Sequence, residues 1–321
     1  MIRAAHDGMA VEVLGLSKHF GSVCAVDGIC FRFVSGEVHG FIGPNGAGKT
    51  TTMRIIATLE HPDEGDVLFN GVSAINYPDR IRPRVGFMPD YLDSYQDMMV
   101  EEYLDFYARA YGLKPARRRK RLGDVVDFTG LGELLDRPVN GLSKGMKQRL
   151  SLARVLVNDP DVLILDEPAA GLDPRARVEL RSLVRLLADR GKAVFISSHI
   201  LTELSAICDS VTIIEKGRVE VSDSVHDIQQ RVDAGVRAEV RLVEAGEAER
   251  ERLLRFLAET PGVTRSEPSQ HGAYFSYEGD ANYRAELLRR LVLAEFRVTD
   301  FLAATSDLEG AFLALTKGTV S

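Results

Sequence analysis

Cysteine is scarce in this chain, and long apolar stretches are missing altogether. The three cysteines, Cys24, Cys30 and Cys208, form no CxxC and cannot all pair with one another. This excludes a self-contained disulfide framework and a paired-CxxC zinc site, and it fits reduced thiols in the cytosol. No apolar run approaches the roughly 20 residues that cross a bilayer. The longest, such as 161–166, have the length of a buried strand. Residues 1–10 lack the apolar stretch of a secretory signal and read as a frayed lead-in. Excess positive charge is also missing. Forty Lys and Arg against 47 Asp and Glu leave a net charge of −7, a poor field for holding nucleic acid. There is no internal repeat and no low-complexity tract. Any membrane role must therefore come through a partner.

What is present is ordinary globular composition: 321 residues, 45% hydrophobic and 27% charged. That suffices for one large domain, or a core domain with a smaller one. Apolar runs at 11–16, 29–34 and 37–42 read as strands, followed by a Gly-rich loop and a helix from Lys49 to about Leu59. A turn at 62–65 leads to a strand at 66–70. Val100, Tyr103, Leu104, Tyr107 and Tyr111 recur at a helical period. The run Arg117–Arg121 reads as a solvated helix face, with a basic contact surface as its alternative. A helix at 143–157 leads to a buried strand at 162–165. Asp173 and Pro174 supply an N-cap and N1 proline for a helix that Gly191 ends. Further strands fall at 193–197 and 211–214. Alternating strands and helices predict an α/β core with a largely parallel sheet. Past about residue 225 the order becomes strand, helix, two strands, helix, strand, which suits a small ferredoxin-like unit. A last helix is expected at 307–317.

Two motifs carry chemistry. The first is Gly43, Pro44, Asn45, Gly46, Ala47, Gly48, Lys49 and Thr50, followed by Thr51; it matches GxxxxGK[ST] between a strand and a helix. Its backbone N–H groups and the helix dipole suit phosphate oxygens. Lys49 would reach the β- and γ-phosphates of ATP, and the Thr50 hydroxyl would ligate Mg2+. The second is the apolar strand at 162–165 ending in Asp166 and Glu167. A parallel strand delivers these carboxylates to the sheet edge where the phosphate loop sits. Asp166 would hold Mg2+ through water, and Glu167 would polarise the attacking water.

The segment 142–149, Leu-Ser-Lys-Gly-Met-Lys-Gln-Arg, resembles the LSGGQ signature of the ATP-binding cassette (ABC) ATPases. Ser143 lies 94 residues beyond Lys49, Asp166 follows Ser143 by 23, and His199 follows Asp166 by 33. The resemblance spans about residues 10–222 and implies a P-loop NTPase core of the ABC-ATPase type at 11–224. Within it lies a helical subdomain at about 90–157. Residues 225–321 follow as an α+β accessory domain. By the same resemblance Phe20 stacks on adenine, Ser143 and Gly145 offer donors to the γ-phosphate across a dimer, Asp173 links the two sites, and His199 bonds the γ-phosphate. Phe20 capping the first sheet is the alternative for that residue.

Two positions depart from the family pattern. Lys144 stands where the signature has its first glycine, and a helical backbone there tolerates a Cβ. Asp90 stands where the family has the glutamine of its Q-loop. A carboxylate can ligate Mg2+ but, ionised, donates no hydrogen bond; solvating a loop is the alternative role. Tyr91, Leu92, Tyr95, Met98 and Met99 follow, suited to a groove for a membrane partner or to core packing.

The resemblance implies an ATPase subunit that energises an ABC transporter, most like bacterial ABC-2-type exporters. It would act as a homodimer on separate integral-membrane permease subunits, at the cytoplasmic face of the membrane, with ATP and Mg2+ and no nucleic acid. The competing readings are a soluble ABC-type ATPase working on ribosomes or nucleic acid, and a regulatory ATP-binding subunit with weak turnover. The role of the accessory domain is expected to be dimer contact or regulation.

Overall fold

A computed structural model describes residues 8–91, 98–200, 207–228, 236–243, 246–277, 279 and 281–303. The chain divides into two compact units, Met1–Ser224 and Val225–Ser321, and each is described by itself.

The first unit holds two sheets. Strands β1 (Ala10–Phe20), β2 (Val23–Val34), β4 (Glu64–Phe69) and β5 (Val72–Ser73) form an antiparallel sheet in the order β2-β1-β4-β5. The second sheet joins β3 (Val38–Ile42), β6 (Val85–Met88), β7 (Val162–Leu165), β8 (Ala193–Ser198), β9 (Ser210–Glu215) and β10 (Arg218–Ser224) in the order β10-β9-β3-β8-β7-β6. All its pairings are parallel except β9 with β10. Every residue of β3, β7 and β8 is buried, as in a parallel sheet covered on both faces. Between the sheets Phe31, Phe33, Phe41 and Phe195 stack at centroid distances of 4.8–5.5 Å. Burying four aromatic side chains there supplies much of the core's hydrophobic stabilisation.

Several expectations shift. The helix α1 runs Lys49–Ile56 rather than to Leu59, because the chain turns to positive φ at Thr58. The lead-in expected over 1–10 meets the fold before its end. Met9 is fully buried, and it exchanges hydrogen bonds with Ser35 through its N–H and carbonyl. Residues 1–7 lie outside the described set. The short elements β5, β6, α2 (Pro78–Ile81) and β10 carry too little periodicity to be read from sequence.

Helices α3 (Val100–Ala110), α4 (Pro115–Thr129) and α5 (Lys144–Leu156) form the helical region. Tyr103 and Leu104 of α3 and Val125 and Val126 of α4 are buried there. The basic run is not a uniformly solvated face. Arg121 is buried, its guanidinium bonding the Leu156 and Val157 carbonyls and pairing with Asp159 at 3.0 Å. A cation on the exposed carbonyls of a helix C-terminus satisfies groups the helix cannot. Helix α6 (Pro174–Asp189) is capped by Asp173, whose carboxylate accepts from Ala176 N–H at 2.9 Å, and Gly191 follows its end at φ 81°.

The second unit contains β11 (Val236–Leu242), α7 (Glu247–Ala258), β12 (Val263–Ser269), β13 (Gly272–Tyr277), α8 (Ala281–Leu293) and β14 (Val298–Ala303). Its sheet is antiparallel in the order β12-β13-β11-β14, the ferredoxin-like arrangement. Leu253 and Leu257 of α7 and Leu287 and Leu291 of α8 share its core with Val240, Phe275 and Tyr277. Pro268 sits in β12, an edge strand, where a missing N–H is tolerated. The helix expected at 307–317 lies outside the described residues.

Candidate functional site

The phosphate-binding loop is shaped by its glycines, two of which leave no room for a side chain. Gly46 and Gly48 take φ of 82° and 103°, a region that costs other L-residues about 1–2 kcal/mol. A Cβ on Gly48 would lie 2.3 Å from the Ala25 carbonyl oxygen, and one on Gly43 would lie 2.2 Å from that of Ile214. The loop is thus pressed between β2 and β9, and α1 begins directly at Lys49. The Lys49 ammonium is buried and donates to the Gly43 and Pro44 carbonyls at 2.7 and 3.2 Å. It also lies 3.5 Å from Glu167 Oε1.

Parallel pairing of β7 with β8 brings Leu165 opposite Ile196, so the next residues, Asp166 and Ser197, meet at the same edge. The Ser197 hydroxyl donates to Asp166 Oδ1 at 2.7 Å and accepts from the Glu167 N–H at 2.8 Å. The Thr50 hydroxyl also bonds Asp166. Burial pushes the Asp166 carboxyl up from its ordinary range, Ser197 and Thr50 draw it down, and the charges of Asp90 and Glu167 push it up again. Asp90 and Glu167 thus place negative charge near Asp166, which a cation would relieve.

Glu167 adopts φ 46°, uncommon for a residue with a side chain. Its Oε2 lies 2.8 Å from His199 Nδ1, while its Oε1 is buried without a hydrogen bond. That oxygen is left with the Lys49 ammonium 3.5 Å away, an ion pair rather than a hydrogen bond. Strained backbone and an oxygen without a hydrogen bond at one residue mark a position that the fold does not favour for its own sake. A cavity of about 240 Å3 opens here, lined among others by Asn45, Lys49, Thr50, Thr51, Asp90 and Glu167.

The structure thus brings together the loop 43–51, Asp90, Asp166, Glu167 and His199. Phe20, Ser143, Gly145 and Asp173 stand outside this cavity's lining. Phe20 ends β1 with its ring half exposed and the Lys18 ammonium 5.4 Å from its centre. Ser143 caps α5, its hydroxyl accepting from Met146 N–H at 3.3 Å. Gly145 lies against α6, where an added Cβ would come 3.1 Å from the Ala176 methyl. Lys144 is the first residue of α5, and its ammonium lies over Gly171, 2.4 Å from where a Cβ there would sit. Tyr91 and Met99 are exposed, whereas Leu92 and Tyr95 lie outside the described residues. Sequence reasoning gave Ser197 no role. The pairing of two buried parallel strands, each ending in polar residues, is the signal that finds it.

Among the described residues, no group of three or more His, Cys, Asp or Glu side chains is arranged to hold a metal by itself. No helix among them is long and apolar enough to cross a membrane.

Comparisons with known proteins give the family. The family model described as ABC transporter matches residues 26–170. The daunorubicin/doxorubicin resistance ATP-binding protein DrrA of Streptomyces peucetius is 36% identical over 308 residues, covering 96% of this chain and 92% of that protein. The Nod factor export ATP-binding protein I of Ralstonia nicotianae is 38% identical over 218 residues, 68% of each chain. A solved structure described as that of an ATP binding subunit of an ABC transporter aligns with TM-score 0.62 at 32% identity, covering 69% of this chain and 92% of the other. The chain belongs to the ABC transporter family, as an ATP-binding subunit that hydrolyses ATP.

Proposed function

We propose that this subunit drives an exporter: two copies close over ATP while bound to separate integral-membrane permease subunits at the cytoplasmic face. The observation that carries the reading is the Lys49–Glu167–His199 arrangement behind a glycine-shaped phosphate loop. Relatives named for Nod factor export and for drug resistance support export, the cargo being handled by the permease.

Each residue then has a role. Loop N–H groups and Lys49 hold the β- and γ-phosphates. On reaching the phosphate, the Lys49 ammonium exchanges the Gly43 and Pro44 carbonyls for phosphate oxygens. Thr50, Asp166 and Asp90 offer hard oxygen donors suited to Mg2+; the crowding of charge around Asp166 is the observation that fits a cation there. When bound, Mg2+ neutralises charge on the phosphates. Glu167 Oε1, without a hydrogen bond, is the acceptor available to orient and deprotonate a water. His199 holds the other oxygen, fixes the carboxylate and reaches the γ-phosphate. Phe20 stacks on the base. Ser143 and Gly145 serve the partner's nucleotide across the dimer, and Asp173 links the two sites. The unit 225–321 contributes to dimer contact or regulation.

The test is purification of the native-level protein from membranes in mild detergent. A stoichiometric polytopic membrane protein is the expected companion. Recovery with ribosomes or nucleic-acid enzymes instead would reject the transporter reading.

A further inference from the structure

We propose that the amino-terminal half of α4 is a docking surface for the anionic phospholipid headgroups of a membrane. This rests on the reading above only in placing the chain beside a bilayer. Residues 106–123 hold seven cations and no acid, in a chain whose net charge is −7. Three of the seven are used by the fold. Arg118 pairs with Asp105 at 2.6 Å, a carboxylate that also takes Arg109, and Arg121 is buried against the end of α5. Lys114, Arg117, Arg119 and Lys120 are exposed, and of these Lys120 lies in the field of Asp124.

Local physics does not favour cations there. Helix α4 starts at Pro115 and has no acid in its first turn. The macrodipole places positive charge at that end, so each cation is on the unfavourable side of it. A locally costly pattern with no packing gain points to an external partner.

Geometry favours a lipid surface over a folded acidic protein. Arg117 and Lys120 line one cleft beside α4 and Arg119 another, so the exposed cations stand on different sides of the helix. Such a crown suits end-on approach to a plane of mobile headgroups. A groove of fixed shape would match only one side. The cleft beside it, about 320 Å3, mixes Leu104, Leu122, Val126 and Leu135 with the cations Arg118 and Arg119 and the carboxylates of Glu101 and Asp105, so the charge of the exposed cations, not this cleft, recommends the lipid surface.

The experiment is sedimentation of the full chain with vesicles of phosphatidylcholine alone and of phosphatidylcholine with 30% phosphatidylglycerol, at ~50 mM salt where screening is weak. Wild type is expected to bind the anionic vesicles only. The triple variant R117Q/R119Q/K120Q should lose about a hundredfold in partition, near one decade per one or two cations. The control triple R32Q/R255Q/R265Q removes the same charge elsewhere and should bind like wild type. Both variants should keep the wild-type ATPase rate, since neither touches the nucleotide cavity. No binding by wild type, undiminished binding by the first triple, or equal loss in both triples would each overturn the proposal. Absence of ATPase activity in wild type would count against the function above and leave the vesicle result standing.

Discussion

The two units bury polar groups on opposite terms. In the second, the Glu239 carboxylate is matched at 2.8 Å by Arg241 on its own strand, and the Thr260 hydroxyl bonds the Phe256 carbonyl. Each finds a partner close in sequence, while the buried Ser269 hydroxyl of that unit lies outside hydrogen-bond geometry. In the first, Lys49 of α1, Asp166 and Glu167 after β7, and His199 after β8 are converged from three elements distant in sequence. They leave a buried oxygen without a hydrogen bond, a positive φ and a carboxyl pushed up by burial. Buried polar groups are ordinarily hydrogen-bonded. A site that must bind phosphate and activate water holds some of them short of satisfaction. The contrast locates function more firmly than any single motif.

The contrast can be broken first in the second unit. Phe275→Ala removes a fully buried ring from the ferredoxin-like core and should destabilise that unit by about 3–5 kcal/mol. Nucleotide affinity, measured by titration at a temperature where both units remain folded, should not change. A matching loss of affinity would mean that the two units are energetically one.

The next effect compares two glycines of one loop. Gly48→Ala combines left-handed strain with a clash against the Ala25 carbonyl, and should cost about 3 kcal/mol and abolish measurable ATP binding. Gly46→Ala meets open space and should cost only the strain, about 1 kcal/mol. Equal losses in denaturant melts would contradict the close approach.

The smallest effect concerns His39, buried between Ser210 and Thr212 hydroxyls at 2.7 and 2.8 Å and stacked near Phe31 and Phe195. Burial pushes its pKa down from 6.5 to about 3. Folding therefore binds fewer protons than the unfolded chain in that window. Stability is fully present above about 6.5 and is lost as pH falls toward 3, by about 2 kcal/mol between pH 7 and 5. His39→Phe should flatten that slope in melts at the two pH values.

How much was legible in the sequence follows from the same physics. The phosphate loop, the acidic strand end and the Asp173 cap are local patterns with fixed spacing, so they could be read directly. The ferredoxin-like order was readable because each element in 236–303 carries its own periodicity. Ser197, the Ala25 carbonyl against Gly48, and Arg121 closing α5 depend on which strands and helices become neighbours, which one sequence does not display. Arg121 looked like its solvated neighbours because burial at one position in a charge run follows from the facing helix.

The central claim is that Glu167, held by His199 and facing Lys49, activates water at a phosphate site. Steady-state phosphate release by the full chain, wild type against Glu167→Gln, tests it most directly, with nucleotide binding measured in parallel. The account predicts a fall of about 10²–10⁴-fold with ATP binding retained. Equal rates in the two proteins would contradict it.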